Sequence, residues 1–113
     1  MRLKSNIWVA ALVRRVFSAG GYAAVERHGA DEAGAIFIRV RSREGNEVLL
    51  APAPQSVFGT DKPEERIFEF RLADASGEEI DALFRREASF DPDFWVLELE
   101  VDDVADFLTI QRA

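Results

Sequence analysis

The chain has 113 residues, a net charge of −7 and no cysteine. The absence of thiols excludes disulfide bonds, thiolate metal centres and cysteine nucleophiles, and it fits a cytoplasmic location. The length predicts a single domain over residues 1–113, and an apolar fraction of 48% is enough for one hydrophobic core without a stabilising metal or disulfide.

The first predicted element is an amphipathic helix in the run SNIWVAALVRRVFSAGG. Ser5 is a plausible N-cap, and Gly20-Gly21 supplies the stop. An apolar group covers one half of this helix, opposite Arg14. Its members are Trp8, Val9, Leu12, Val13, Val16 and Phe17. Because Arg14-Arg15 interrupts the apolar run, we interpret it as part of the fold rather than as a targeting segment or a membrane span.

Three short runs follow the helix and predict antiparallel strands. They are YAAVERH, GAIFIRVRS and EVLLA, and short connectors that contain glycine separate them. Such connectors predict hairpins between consecutive strands. In the middle run Ile36 and Ile38 alternate with Phe37 and Arg39, and strict alternation predicts one covered face and one wetter face.

A proline-containing connection of fourteen residues, PAPQSVFGTDKPEE, separates the third strand from the fourth. Connections of this length inside a small domain are usually functional or mobile. Gln55 within it and Arg66 just after it are therefore candidate contacts for a ligand or a partner. The fourth strand, RIFEFRLA, alternates again, with Phe68, Phe70 and Leu72 on one face.

A second helix is predicted in the run SGEEIDALFRREASF, where Ser76 and Glu79 have the spacing of a capping box. Because Asp91 precedes Pro92, and the residue before a proline is driven out of the helical region, this helix must end near residues 89–90. The run DFWVLELEV then forms the next strand. The order α-β-β-β-β-α-β predicts an α+β domain, an antiparallel sheet of about five strands with two helices packed on one face.

Three carboxylates near the end of the second helix are candidate contacts for a ligand or a partner. Glu87 lies inside the apolar stripe of that helix, where it either pairs with a strand arginine at the rim or is a carboxylate of raised pKa in a cleft. Asp91 and Asp93 are ordinary turn residues. With Glu87 they could instead be oxygen ligands for Mg²⁺ or Ca²⁺. No EF-hand spacing is present, so we favour the turn and the ion pair.

A stripe of arginines on the middle strand raises the question of nucleic-acid binding. Arg39, Arg41 and Arg43 share one face of that strand. The net charge of −7 and the alternating glutamates of the later strands favour a different interpretation, in which opposite charges face each other across neighbouring strands. We therefore disfavour nucleic acid as a partner.

Motifs of catalysis are missing from the sequence. His28 is the only histidine, so a two-histidine metal site cannot form. No nucleophile elbow, P-loop or dinucleotide fingerprint is present. We expect no catalytic residue, no metal ligand and no cofactor.

Four blocks of the sequence, taken together, resemble a known family. They are MRLKSNIWVAALVRR, AGAIFIRV, APAPQ and REASFDPDFWVLELE. The chain resembles, over nearly its whole length, an uncharacterised family of short bacterial proteins, a domain of unknown function of the DUF1491 type. The resemblance implies a stand-alone cytoplasmic domain of bacterial origin, and it implies no activity, cofactor or catalytic residue.

The leading prediction is a small, non-catalytic cytosolic domain for protein interaction or regulation. Its partner is another protein or a second copy of the chain, because an uncovered strand edge can pair with another strand, as in a homodimer. One alternative is an enzyme or a metal- or ligand-binding protein that uses the carboxylates at 87–93. The other is nucleic-acid binding through the arginine stripe.

Overall fold

The structure is a computed structural model, and it describes residues 3–42, 44–54 and 65–111. The two helices are α1 (Ser5–Ser18) and α2 (Gly77–Phe90). The strands are β1 (Tyr22–Arg27), β2 (Ile36–Arg41), β3 (Glu47–Pro52), β4 (Ile67–Ala75), β5 (Trp95–Glu100) and β6 (Thr109–Gln111). A short 3₁₀ helix (Val104–Asp106) precedes β6. Neither described helix is long and apolar enough to cross a membrane.

The six strands form one mixed sheet in the order β1-β5-β2-β3-β4-β6. The α+β class is confirmed, but the prediction of about five antiparallel strands was wrong. β2 runs parallel to β5, and β4 runs parallel to β6. Parallel neighbours require a long connection, and both pairs have one: residues 42–94 separate β2 from β5, and residues 76–108 separate β4 from β6.

The first two strands do not form the predicted hairpin, because β5 lies between them. Contacts with the start of β5 hold the connector from β1 to β2 in place. Ala30 donates its N–H to the carbonyl of Asp93 at 3.0 Å, and its own carbonyl accepts the indole N–H of Trp95 at 2.8 Å. A Cβ atom at Gly34 would lie only 2.6 Å from the Asp93 carbonyl oxygen. Glycine at position 34 therefore permits a close backbone contact with Asp93, which the alternation of apolar residues does not predict.

The two helices cover opposite faces of the sheet, so the prediction that they share one face was wrong. α1 packs on a core that contains Ile36, Ile38, Leu50, Phe68, Trp95, Leu97 and Leu99. α2 packs on a second core with Phe37, Leu49, Ala51, Phe94 and Val96. The central strands carry apolar side chains on both sides, and each apolar side requires its own cover. The wetter face predicted for β2 is consequently buried at Phe37 and Arg39.

The two helices begin differently. The capping box of Ser76 and Glu79 at the start of α2 is confirmed. At α1 the cap position is Lys4, without a side-chain cap, so the assignment of Ser5 as the N-cap was wrong. Ser5 is fully buried, and its hydroxyl donates to the carbonyl of Gly34 at 2.8 Å. The connector between β1 and β2 takes over the capping, since its carbonyls accept the first helical N–H groups of α1.

An irregularity in β4 changes the face of its later residues. Leu50 pairs with Phe70, whereas its neighbour Leu49 pairs with Leu72, so Arg71 is an extra residue in the ladder. Leu72 therefore packs on the α2 side, while Phe68 belongs to the α1 core. The prediction that both lie on one face was wrong because alternation fails at a bulge.

Candidate interaction surface

Glu87 lies at the rim of α2 and pairs with a strand arginine. Its carboxylate is 3.6 Å from a guanidinium nitrogen of Arg71 in β4, and its side chain is 31% exposed. The prediction of a rim ion pair is confirmed. No enclosed cleft is needed to explain this carboxylate inside an apolar stripe.

Asp91 and Asp93 form the turn that joins α2 to β5. The carboxylate of Asp91 accepts the backbone N–H of Asp93 at 3.0 Å, and both residues are exposed. α2 ends at Phe90, within the range that Pro92 predicted. Among the residues that the structure describes, no three acidic or histidine side chains come together as metal ligands.

Arg66 belongs to a different part of the molecule. Its guanidinium donates to the carbonyl of Leu3 at 3.0 Å and to the hydroxyl of Ser5 at 3.3 Å, at the start of α1. Glu87 lies on α2, on the other face of the sheet. Gln55 lies outside the described residues. The structure therefore does not bring Arg66 together with the carboxylates at 87–93.

Arg39 is the buried centre of an ion cluster on the α2 face. Its guanidinium donates to both oxygens of Glu47, at 2.7 and 2.9 Å, and the two side chains are 4% and 5% exposed. It also donates to Glu26 at 2.9 Å and to Asp81 at 3.2 Å. The hydrogen bonds with Glu47 are the main reason that the pKa of Arg39 is raised above its ordinary value, although burial opposes the shift. The guanidinium is thus fully committed within the protein.

The arginine stripe does not present three free cations. Arg39 is buried, and Arg41 pairs with Glu98 of β5 at 2.9 Å. Arg43 lies outside the described residues. The prediction that opposite charges neutralise one another across neighbouring strands is confirmed for Arg41 and Glu98. A phosphate backbone would have to compete with these carboxylates for both described arginines.

β1 is an edge of the sheet with two unlike ends. Its inner side pairs with β5, and no other described strand pairs with its outer side. The ladder is regular from Tyr22 to Val25 and shifts register between Val25 and Arg27. At the shifted end, Glu26 is bound by Arg39, and Arg27 donates to the carbonyl of Pro92 at 2.7 Å. The charged end is therefore fixed, and the regular end stays open.

Three apolar side chains at the open end are half exposed. Phe17 at the end of α1 is 52% exposed, and Tyr22 and Val25 are each 45% exposed. The rings of Phe17 and Tyr22 meet edge to face with centroids 6.0 Å apart. Helical spacing wrongly assigned Phe17 to the buried stripe, because the buried face is the narrower one of Val9, Leu12 and Val16 and Phe17 lies at its flank. We call the outer side of Tyr22–Val25, together with Phe17, the β1 surface.

An acidic cleft of about 530 Å³ adjoins the β1 surface. Its lining includes the backbone of Gly20 at the end of α1, four carboxylates and one guanidinium. The charged members are Arg41, Glu100, Asp102, Asp103 and Asp106. On the far side of Phe107 lies a shallower depression that includes Arg14 and Arg15. Arg15 is turned toward Phe107, whose carbonyl it contacts at 3.1 Å.

Comparisons with known proteins identify relatives without a described activity. A family model described as a protein of unknown function (DUF1491) matches residues 3–109. A protein from A. tumefaciens with a solution structure is 55% identical, with a TM-score of 0.87, and the match covers 100% of this chain and 98% of that one. No curated protein matches the chain.

Two structures from Caulobacter crescentus, both titled as DUF1491 family proteins, are also similar. The crystal structure is 35% identical with a TM-score of 0.77, covering 99% of this chain and 100% of that one. The NMR structure is 35% identical with a TM-score of 0.78, covering 99% of each chain. The fold is thus shared along the full length of these proteins.

Proposed function

Because the chain belongs to the DUF1491 family of proteins of unknown function, we propose its function from geometry. It is a single, non-catalytic cytosolic domain that binds an extended segment of a partner protein along β1. One observation carries this proposal: β1 is an edge strand whose regular end is flanked by half-exposed Phe17, Tyr22 and Val25.

An edge strand offers its outer N–H and C=O groups to an incoming strand, which provides binding energy through main-chain hydrogen bonds. Side chains that alternate along the edge supply selectivity. Aromatic residues are well suited to this role, because a large ring loses little conformational entropy on binding. The β1 surface combines a regular backbone ladder with two exposed rings, and this combination supports strand addition.

Charge favours a different protein over a second copy as the partner. Each copy carries a net charge of −7, so two copies repel each other as they approach. Like charges placed near an interface slow association and weaken it. Homodimerisation is therefore an alternative outcome of the test.

The test uses a library of random 12-residue peptides displayed on phage and panned against the whole protein. Selected peptides are titrated into ¹⁵N-labelled protein, and we expect shifts in the amides of residues 22–27. Val25→Lys should weaken binding by about tenfold or more, because a lysine on an edge opposes strand addition. Ile7→Lys is the matched control, since Ile7 is 50% exposed and lies near the other end of α1.

Two results would contradict the proposal. Peptides that leave residues 22–27 unshifted and bind Val25→Lys as well as the parent protein would remove β1 as the site. A dimer mass in light scattering that Val25→Lys reduces to the monomer would make a second copy the occupant. A monomer mass together with loss of peptide binding in Val25→Lys alone supports the proposal.

A further inference from the structure

We infer that the segment that binds along β1 is basic, and that one of its arginine or lysine side chains enters the acidic cleft beside Tyr22. This inference rests on the proposed function, because it names the chemistry of the strand that β1 would accept. Two observations support it: the position of the acidic cleft next to the β1 edge, and the lack of ion-pair partners for the cleft carboxylates among the described residues.

The register of the sheet places acids directly beside the edge. Tyr22 pairs with Glu100 of β5, and Ala24 pairs with Glu98. Residues paired across antiparallel strands project from the same face, so the side chains of Glu98 and Glu100 flank the side of β1 to which Tyr22 and Ala24 project. α2 packs on the part of this face around Val96. β1 alone would thus separate an incoming strand from Glu100 of β5.

The acids nearest the open end are not neutralised within the described residues. Glu98 is bound by Arg41, and Glu26 is bound by Arg39. By contrast, no described lysine or arginine forms an ion pair with Glu100, Asp102, Asp103 or Asp106. The cleft therefore has an excess of negative charge that a basic side chain from a partner would balance.

Two further features of the cleft suit a cation. The cleft lies at the carboxyl end of α1, next to Gly20 and Gly21, and helix carboxyl ends attract positive charge. Phe107 also lines the cleft and offers an apolar surface for the stem of a basic side chain, while the guanidinium of Arg15 lies 5.8 Å from the centre of its ring. A volume of about 530 Å³ is ample for one long side chain.

Position decides between this cleft and its neighbour. The depression beyond Phe107 carries Arg14 and Arg15, which would attract an acidic group. None of the residues that line this depression belongs to β1 or β5. The cleft lined by Glu100, in contrast, is reached by continuing along the strand that pairs with β1. Of the two, the acidic cleft is the one lined by neighbours of Tyr22, namely Gly21 before it in the chain and Glu100 across the ladder.

The experiment takes the panned peptides that shift residues 22–27 and replaces each arginine by citrulline, a neutral isostere, or each lysine by norleucine. We expect the selected peptides to be enriched in arginine and lysine, and their neutral versions to bind at least tenfold more weakly. The difference should shrink as the salt concentration rises, because the groups that interact are exposed. Shifts from the basic peptide should extend into residues 100–106.

A double variant, Glu100→Gln with Asp102→Asn, tests the cleft itself. It should weaken the basic peptide roughly tenfold and leave the neutral peptide unchanged. The control is Glu69→Gln with Glu78→Gln, which changes the net charge equally on β4 and α2, away from the β1 edge. Glu78, Glu100 and Asp102 are exposed and Glu69 is half-buried, so we expect each double variant to fold.

The outcomes separate the two proposals. If the selected peptides shift β1 but lack basic residues, or if their neutral versions bind equally well, the inference about charge is wrong and strand addition at β1 stands. An equal loss in the control double variant would also overturn the inference, because attraction to the whole acidic protein would explain the binding. If no peptide shifts β1, the proposed function fails as well.

Discussion

β1 borders the sheet on one side with six residues, of which Tyr22 and Val25 are half exposed, whereas β6 borders the other side with three residues, Thr109–Gln111. A strand of three residues offers too short a ladder for a partner, and very short edges are a usual protection against unwanted pairing. β1 is protected only at its bulged, charged end. The difference indicates that, among the described residues, β1 offers the longer edge for pairing with another chain.

Two features hold β1 in this position. The connector from β1 to β2 is fixed against the start of β5 by the contacts of Ala30 and Gly34 with Asp93. The buried guanidinium of Arg39 holds Glu26 at the bulge. Substitutions at Arg39 and Gly34 test whether these two features hold β1 in place. Lysine substitutions in β1 and β6 then compare the two edge strands.

The largest effect is expected at Arg39. Arg39→Met leaves Glu47 buried without its partner, and loss of one member of a buried pair typically lowers the free energy of unfolding by about 3–5 kcal/mol. Urea unfolding measures the change. The raised pKa of Arg39 means that its contribution is present at every pH below the ordinary arginine range and is lost only above it, so this loss should not vary between pH 6 and 8.

The control for this prediction is the double variant Arg39→Met with Glu47→Leu. Replacing both charges by apolar groups removes the unpaired carboxylate, so the double variant should be more stable than Arg39→Met alone. A double variant that is no more stable than the single one would contradict the account of Glu47 as the source of the loss.

The next effect is expected at Gly34, which sets the path of the connector. Gly34→Ala would place a Cβ atom 2.6 Å from the Asp93 carbonyl oxygen and 2.9 Å from the backbone of Ala30. Backbone atoms cannot move aside as a flexible side chain can, and we expect a loss of about 3 kcal/mol in urea unfolding. Gly45→Ala is the control. Its site has a positive φ of 93° but open space, so the loss should be nearer 1 kcal/mol.

Lysine substitutions compare the two edges directly. Ile110 in β6 packs against the α1 core, so Ile110→Lys should lower the free energy of unfolding by about 2 kcal/mol. Val25 in β1 is 45% exposed, and Val25→Lys should change it by no more than about 0.5 kcal/mol. Equal losses in the free energy of unfolding would mean that Val25 contributes as much to the core as Ile110 does. The proposed contrast between the two edge strands would then be wrong.

The smallest effect is expected at Glu87, beside β4. Glu87→Gln removes a half-exposed ion pair with Arg71, and such pairs contribute at most about 1 kcal/mol. Thermal unfolding should shift by only a few degrees, and the shift should shrink with added salt. A loss as large as that of Arg39→Met would contradict the rim position, because only a buried carboxylate would lose so much on replacement.

Local patterns in the sequence were sufficient for several elements. The capping box of Ser76 and Glu79 and the proline at 92 predicted both ends of α2, because caps and proline sterics act within a few residues. The rim pairing of Glu87 also followed from helical spacing. The turn formed by Asp91 and Asp93 is equally local.

The candidate surface was harder to predict. Sequence reasoning identified exposed strand edges in general as docking sites, but it could not say which strand is an edge. It placed Phe17 in the buried stripe, and it could not recognise that Arg39 is sequestered by Glu47 and Glu26. A signal for Arg39 was present in the apolar residues on both sides of β2, which are typical of a strand buried on two faces.

The sequence by itself determined the acidic character, the segments that form the two helices and strands β1–β5, and the stops between them, because these depend on composition and on neighbours along the chain. Only the tertiary structure decided that β5 separates β1 from β2, that the helices lie on opposite faces, and that one edge remains open beside an acidic cleft. Those features depend on contacts between residues that are far apart in sequence, such as Gly34 and Asp93. The pattern of residues around either position does not indicate the contact.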